Sequence, residues 1–217
     1  MNSQDVSLLK VHHDYHIPLF VVKSVRVIAL INLNIQNILD KRNKTRYWLV
    51  KEMESNYEGY AQGVRAVMHS KPAGVIGVVT ELMRTDAGFE TAIETALGPG
   101  AQNIVTEDET AAKETIEYLK ENKAGRLTFL PVKTLRANAF EADRELEKMQ
   151  GFAGYATDRV SYDAKYKEVF LYLLGRTVIA ETLDDAVLMS AGNKTGWRIV
   201  TKDGEIISPA GALTGGA

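Results

Sequence analysis

Apolar side chains recur every three or four residues in several segments of the chain, a spacing that is typical of one helix face. Phe89, Ile93 and Leu97 lie four residues apart, and Gly98 follows them as a helix stop. The mostly apolar run at 73–80 is shorter and contains two glycines. We predict a buried strand there, with another element packed close to its backbone.

Predicted strands and helices continue to alternate after the helix that ends at Gly98. We predict a short strand at 102–105, and Thr106 and Glu109 then have the spacing of a capping box. The helix that follows should face inward with three apolar residues, Ala112, Ile116 and Leu119. Gly125 would end this helix, and 126–130 would form a further strand that a proline terminates.

A second copy of this order is found further along the chain. A helical face at 166–173 ends at Gly175, a strand is predicted at 176–180, and Thr182 and Asp185 would cap the next helix. Gly192 and Gly196 would end that helix before a strand at 197–201. The repeated order predicts two similar halves of mixed helix and strand, an α/β fold.

The segments outside the two halves are predicted to form a connector, a hairpin and an N-terminal extension. Residues 136–163 are expected to connect the halves, with helix-prone residues at 139–149 and a loop at 151–154. Asp203-Gly204 is a hairpin turn signal between two β-prone runs. Pro209 should end the second run before the glycine-rich stretch at 210–217. Residues 1–46 form an atypical N-terminal extension that we expect to be poorly ordered.

Composition narrows the function classes. The 217-residue chain has no cysteine, which excludes thiolate chemistry and fits a reducing cytoplasm. Residues 1–50 hold seven Lys and Arg against three Asp and Glu, or +4, and the remaining 19 against 25 give −6. No apolar stretch approaches the roughly 20 residues of a membrane span. The acidic bulk does not predict broad attraction to nucleic acid.

Signals for reaction chemistry are weak. The turns that begin at Gly98 and Gly192 precede strands, whereas a phosphate loop should precede a helix. The N-terminal cluster His12, His13 and His16 has poor geometry for a metal. Two groups of carboxylates, at 107–109 and at 181, 184 and 185, fall in predicted first helical turns, where the helix dipole stabilises them. We therefore predict no enzyme, no cofactor and no metal site.

Several motifs resemble the hinge domain of bacterial structural maintenance of chromosomes (SMC) proteins. The most specific is Gly-Arg-Leu-Thr-Phe-Leu-Pro at 125–131; the others are the runs at 58–67, 96–98 and 208–216. The resemblance covers roughly three quarters of the chain. It implies a dimerisation hinge that joins two coiled-coil arms in chromosome condensation and segregation, in the nucleoid-associated cytoplasm. The family's ATP-binding head lies elsewhere, so we interpret the chain as a hinge fragment.

The resemblance also implies boundaries. Residues 47–57 would be the end of a coiled-coil arm, 58–135 hinge subdomain I, 136–163 the connector and 164–217 subdomain II. The family commonly has a glycine pair where this chain has Ala210 and Gly211.

The resemblance implies a homodimer as partner and DNA contact as a second property, with neither a membrane nor a small-molecule substrate. The expected dimer-interface residues are Gly211, Leu213, Thr214, Gly215, Gly216, Gly74 and Gly77. The candidate DNA-contact residues are Lys120, Lys123, Arg126 and Lys194.

A rival hypothesis is a small α/β enzyme or ligand-binding domain that uses the Gly98 or Gly192 turn. A deep pocket beside either turn would favour it.

Overall fold

The computed structural model describes Tyr57 and residues 59–138 and 141–216, and 59–217 form one compact unit. The predictions for 1–46, for 47–56 and for the N-terminal histidines lie outside the described residues. The first part of the unit contains the elements α1 (Gln62–Ser70), β1 (Val75–Val78), β2 (Met83–Thr85), α2 (Glu90–Leu97), β3 (Ile104–Thr106), α3 (Glu109–Glu121) and β4 (Phe129–Pro131).

The second part contains α4 (Arg144–Glu147), β5 (Phe152–Tyr155), β6 (Val160–Tyr162), α5 (Lys167–Leu174), β7 (Thr177–Ala180), α6 (Leu183–Gly192), β8 (Arg198–Thr201), β9 (Ile206–Ile207) and β10 (Leu213–Thr214). Short 3₁₀ helices follow β1, α2 and β5, and another one precedes α5. This mixture of helices and strands confirms the predicted fold class.

The strands form three sheets, with orders β1-β3-β4, β10-β9-β8-β7-β5 and β2-β6. β1 is antiparallel to β3, which is parallel to β4, and β5 is likewise antiparallel to β7, which is parallel to β8. Both antiparallel pairs have a register shift just before a glycine, Gly77 in β1 and Gly154 in β5. The topology therefore repeats, as the sequence predicts.

The two copies of the repeat meet at the β2-β6 pair. Arg84 is opposite Ser161, and these two residues, like Gly77 and Gly154, lie 77 positions apart in the chain. Arg84 and Ser161 are therefore equivalent residues of the two copies. Equivalent residues lie opposite each other when a local two-fold axis relates the copies. The subdomain boundaries themselves remain a prediction.

The main hydrophobic cluster contains residues from both copies, such as Ile93 and Val105 from the first and Phe170 and Ile179 from the second. Arg198 at the start of β8 adds a polar link, since its Nη2 donates to the carbonyl of Ala96 at the end of α2. Burial lowers the pKa of this guanidinium.

Some local predictions are wrong. The predicted loop at 151–154 is largely strand β5, the edge of the larger sheet. Gly154 has φ +113, and a Cβ there would lie 2.8 Å from the Arg159 guanidinium, which donates to the carbonyl of Ala153. Glycine in this strand makes room for the arginine, although in the sequence it resembles a loop signal.

Two helix predictions also change. The helix-prone segment at 139–149 contains only the single turn α4 among its described residues. α3 is capped by Asp108, whose carboxylate accepts from the N–H of Ala111, whereas Thr106 is buried in β3. The Thr182 cap of α6 is confirmed, with its hydroxyl accepting from the N–H of Asp185.

Candidate interaction surfaces

The glycine-rich stretch after Pro209 contains β10, which forms a β-hairpin with β9. Ser208 precedes the loop Pro209-Ala210-Gly211, and the N–H of Gly211 donates to the Ser208 carbonyl at 2.8 Å. Gly211 has φ +87, which any residue with a Cβ adopts at a cost. The three-residue loop with proline first and glycine last suits a tight hairpin. Gly211 therefore has a structural role within the chain.

Among the described residues, one row of backbone groups along the outer edge of β10 has no strand partner. Ser208 donates to the carbonyl of Ala212, and Leu213 and Thr214 are opposite Ile207 and Ile206. Hydrogen-bonded and non-bonded positions alternate in an antiparallel pair. The N–H and C=O of Leu213 and Gly215 therefore point away from β9, to the open edge of the five-stranded sheet.

Side chains on this edge are exposed. Leu213 is 60% exposed, and Thr214, Gly215 and Gly216 are exposed as well. An exposed sheet edge with a large apolar side chain favours pairing with another strand. The structure thus brings together five of the predicted interface residues, Gly211 and 213–216, on one hairpin.

Gly215 and Gly216 have different surroundings. A Cβ at Gly215 would lie 2.7 Å from Cγ of Glu205, which occupies the same face of the hairpin. A Cβ at Gly216 would have no neighbour within 4 Å in the part of the chain that the structure describes, although its φ of +90 favours glycine. Of Gly215 and Gly216, only Gly215 is therefore required by packing within the chain.

Gly74 and Gly77 lie in the other part of the repeat, just before and within β1. A Cβ at Gly74 would lie 2.5 Å from Cβ of Ala111, and one at Gly77 would lie 3.2 Å from a carboxylate oxygen of Glu81. Packing inside the chain accounts for both glycines. Their place in a dimer interface stays a prediction.

Within the described part of the chain, the smaller sheet ends at the edge strand β4, which has no partner on its outer side. The carbonyl of Thr128 accepts from the N–H of Ile104, and the N–H of Val132 donates to the carbonyl of Thr106. The backbone groups of the even-numbered residues in this segment therefore point to β3. The N–H and C=O groups of Leu127 and Phe129 consequently point outward. Gly125, with φ +98, ends the turn after α3 and begins this extended segment.

An apolar groove of about 380 Å³ runs between this edge and α3. Its lining consists of Ile116, Leu119, Lys120, Gly125, Arg126, Leu127 and Phe129. Ile116 is 38% exposed, which corrects the prediction that it faces inward with the buried Ala112 and Leu119.

Two of the four candidate DNA-contact residues, Lys120 and Arg126, line this groove, and Lys123 lies between them in the chain. Lys120, Lys123 and Arg126 are exposed, and within the described part of the chain none of them forms an ion pair. Lys194 follows α6, the helix that corresponds to α3 in the second copy.

The two turns of the rival hypothesis have structural roles. Gly98 ends α2 with φ +49, and beside it an open depression of about 410 Å³ is lined by Pro99, Gln102 and Asn103 with Arg126. Gly192 is the last residue of α6, where a Cβ would lie 3.6 Å from Sδ of Met149. The Gly98 turn leads only into a five-residue 3₁₀ helix, Gly98–Gln102, and the next element after each turn region is a strand, not an α-helix whose N-terminus could bind phosphate.

Carboxyl groups with shifted pKa values serve as helix caps. A hydrogen bond from Lys133 holds the pKa of Asp108 below its usual value, and one from Thr195 does the same for Asp143, the cap of α4. Burial raises the pKa of Tyr155 to about 12. Among the described residues, no group of three His, Cys, Asp or Glu side chains could bind a metal, and no helix could span a bilayer.

Comparison with known proteins agrees with this architecture. A family model, described as the flexible hinge domain of SMC proteins, matches residues 72–190. The chain belongs to the SMC hinge family. Chromosome partition protein Smc of Halothermothrix orenii is 41% identical over 172 residues, which are 78% of this chain and 14% of that protein. The Bacillus subtilis protein is 38% identical over 174 residues, 78% and 15%. The chain thus spans about one seventh of these relatives.

Solved SMC hinge structures share the fold. The asymmetric dimer of the Geobacillus stearothermophilus hinge domain superposes with a TM-score of 0.77 at 37% identity, covering 87% of this chain and 78% of that one. The Pyrococcus furiosus hinge domain gives 0.61 at 32% identity, covering 77% and 86%.

Proposed function

We propose that this hinge domain forms a homodimer through the hairpin of β9 and β10, and so joins two coiled-coil arms of a chromosome partition protein. The observation that supports this most is the outer edge of β10, which has no strand partner among the described residues and presents the exposed Leu213, in a chain whose structural relative from Geobacillus is a hinge dimer. Strand addition at such an edge satisfies main-chain groups across an interface.

Symmetry favours two contact zones. If one surface patch of each protomer contacts a different patch of its partner, two-fold symmetry makes this contact occur twice. Here one open edge, β10, lies in the second copy of the repeat, and another, β4, lies in the first. The pair of contacts would leave an opening between them.

The proposed role is mechanical and does not need catalysis by this segment. The carboxyl groups with lowered pKa values act in helix caps or local ion pairs, and the groove at α3 is lined mainly by apolar side chains. ATP binding and hydrolysis would belong to the head of the longer protein, and the hinge would act at the nucleoid in the cytoplasm.

Truncation after Pro209 tests the proposal. It removes β10 and should convert a dimer of twice 24.0 kDa into a monomer, measured by sedimentation equilibrium at micromolar concentration. Circular dichroism checks that the rest of the sheet stays folded. An intact chain that is a strict monomer, or a truncated chain that dimerises equally well, would contradict the proposal.

We also propose that Lys120, Lys123 and Arg126 contact DNA phosphates, because they are exposed, close in sequence and free of ion pairs among the described residues. Replacing all three by alanine should weaken binding to a short duplex and flatten its salt dependence, by about 0.9 in the log–log slope for each phosphate that is no longer neutralised. Fluorescence anisotropy measures both quantities.

The control for DNA binding is a variant with Lys148 and Lys165 changed to alanine, since these ammonium groups already pair with Glu145 and Asp163. Equal losses of affinity in the two variants would contradict a specific contact. Lys123→Ala alone should weaken DNA binding and leave the dimer intact, because Lys123 does not line the groove beside the β4 edge, the second proposed contact zone.

A further inference from the structure

The chain enters α1 through a corner. Tyr57 and Gly59 have φ +54 and +93, both in the left-handed region. Ala61, the residue before α1, has ψ 150, which is far from the helical value. A helix that started upstream could not run through these three residues, so α1 begins at the corner itself.

Two hydrogen bonds hold this corner. The hydroxyls of Tyr60 and Thr80 lie 3.0 Å apart, and Thr80 belongs to the 3₁₀ helix after β1. The N–H of Ala61 donates at 2.9 Å to Oε1 of Gln102, the last residue of the 3₁₀ helix after α2. Alanine cannot cap a helix with its own side chain, so Gln102 satisfies a donor at the start of α1. Two consecutive residues are thus fixed to two separate elements.

Both contacts are specific to the copy of the repeat that the chain enters. Thr157 lies 77 positions after Thr80, and its buried hydroxyl has no hydrogen-bond partner among the described residues. The residue 77 positions after Tyr60 is Ala137, which has no hydroxyl to offer. Only residues 175–176 separate α5 from β7, so the second copy also has no 3₁₀ helix at the place equivalent to 98–102. A difference of this kind between two otherwise similar copies indicates a role that only one copy has.

We propose that Tyr60, Thr80 and Gln102 are positioning residues that anchor the entry segment 59–61 to the hinge. Load carried by the preceding chain then reaches the two 3₁₀ helices and does not unwind α1. Two fixed points on consecutive residues restrain both the position and the rotation of the segment. The proposed function enters only as the source of the load, an arm, because the anchoring contacts are made within one chain.

Residue-resolved amide exchange of the intact chain tests the Gln102 contact. Gln102→Ala should speed exchange of the Ala61 amide about threefold to tenfold, the factor expected when one hydrogen bond of ordinary strength is lost. Gln102→Glu keeps an acceptor oxygen and should restore the slow rate, while the urea midpoint stays the same in all three chains. An Ala61 amide that exchanges equally fast in the intact chain and in Gln102→Ala would overturn the anchor.

A nitroxide label at Asn56→Cys tests the Thr80 contact, since the chain has no cysteine of its own. Thr80→Val should sharpen the spectrum of the label because the segment moves more freely, and Tyr60→Phe with Gln102→Ala should sharpen it further. Thr80→Ser keeps the hydroxyl and should leave the spectrum as in the parent chain. The matched control is Thr157→Val, which removes the equivalent hydroxyl and should have no effect. Identical spectra for Thr80→Val and Thr157→Val would contradict the proposal.

Failure of the anchor and failure of the homodimer are distinguishable. A chain that is monomeric in sedimentation but shows these changes in exchange and in the label spectrum would contradict the homodimer alone. A dimeric chain that shows neither change would contradict the anchor alone.

Discussion

Gly216→Glu is expected to make the protein monomeric at micromolar concentration. The Cβ of the new residue would meet none of the described residues within 4 Å, so the substitution creates no clash inside the hairpin. It does place a charge beside the open edge of β10, and charges on an edge strand oppose strand pairing. Sedimentation equilibrium should show the loss of the dimer, while circular dichroism stays that of the folded chain.

The control for this variant is Gly88→Glu. Gly88 lies in the loop between β2 and α2, has φ +84 and would also leave an added Cβ in open space, so the two substitutions share the same backbone strain. Gly88→Glu should remain dimeric. Equal dimer stability in the two variants would contradict a contact at the tail. Gly215→Glu is less informative, because Glu205 already occupies the space of its side chain.

Phe170→Ala is expected to lower the free energy of unfolding by about 3–5 kcal/mol, the usual cost of removing a buried phenylalanine. Phe170 is fully buried on α5, in the cluster that both copies of the repeat share. Its ring stacks on Tyr162 with centroids 4.3 Å apart. The cavity would therefore lie where the two copies meet and should destabilise the whole unit.

Urea denaturation at a fixed protein concentration measures this change, since dimerisation makes stability depend on concentration. Tyr172→Ala on the same helix is the control, because Tyr172 is 54% exposed and surface substitutions usually change stability by about 0.5 kcal/mol or less. A loss of similar size in both variants would contradict the assigned core.

Local signals predicted the caps of two equivalent helices with different success. Thr182 has its partner Asp185 three residues later and caps α6. Thr106 has Glu109 at the same spacing, but β3 extends through Thr106, which is fully buried, and Asp108 becomes the cap of α3. Asp108 stands two residues after Thr106, and the length of the preceding strand decides which of these two residues caps the helix.

Non-local pairing explains the other differences. Strand β5 contains Gly154 and has only four residues, so no periodicity distinguishes it from a loop before it pairs with β7. Ile116 fits a helical core pattern, but nothing in its neighbours indicates that α3 overhangs an open edge. The repeat was predictable because each copy presents the same order of local signals; the groove was not, since it depends on how two elements meet.

Residue-resolved amide hydrogen exchange of the intact chain tests most directly whether the outer edge of β10 pairs with a second copy. The Leu213 amide points outward and the Thr214 amide points to β9, by the alternation of the hairpin. As protein concentration rises through the dimer transition, Leu213 should become protected, whereas Thr214 should be protected at every concentration. A Leu213 amide that exchanges equally fast in monomer and dimer would contradict the proposed interface.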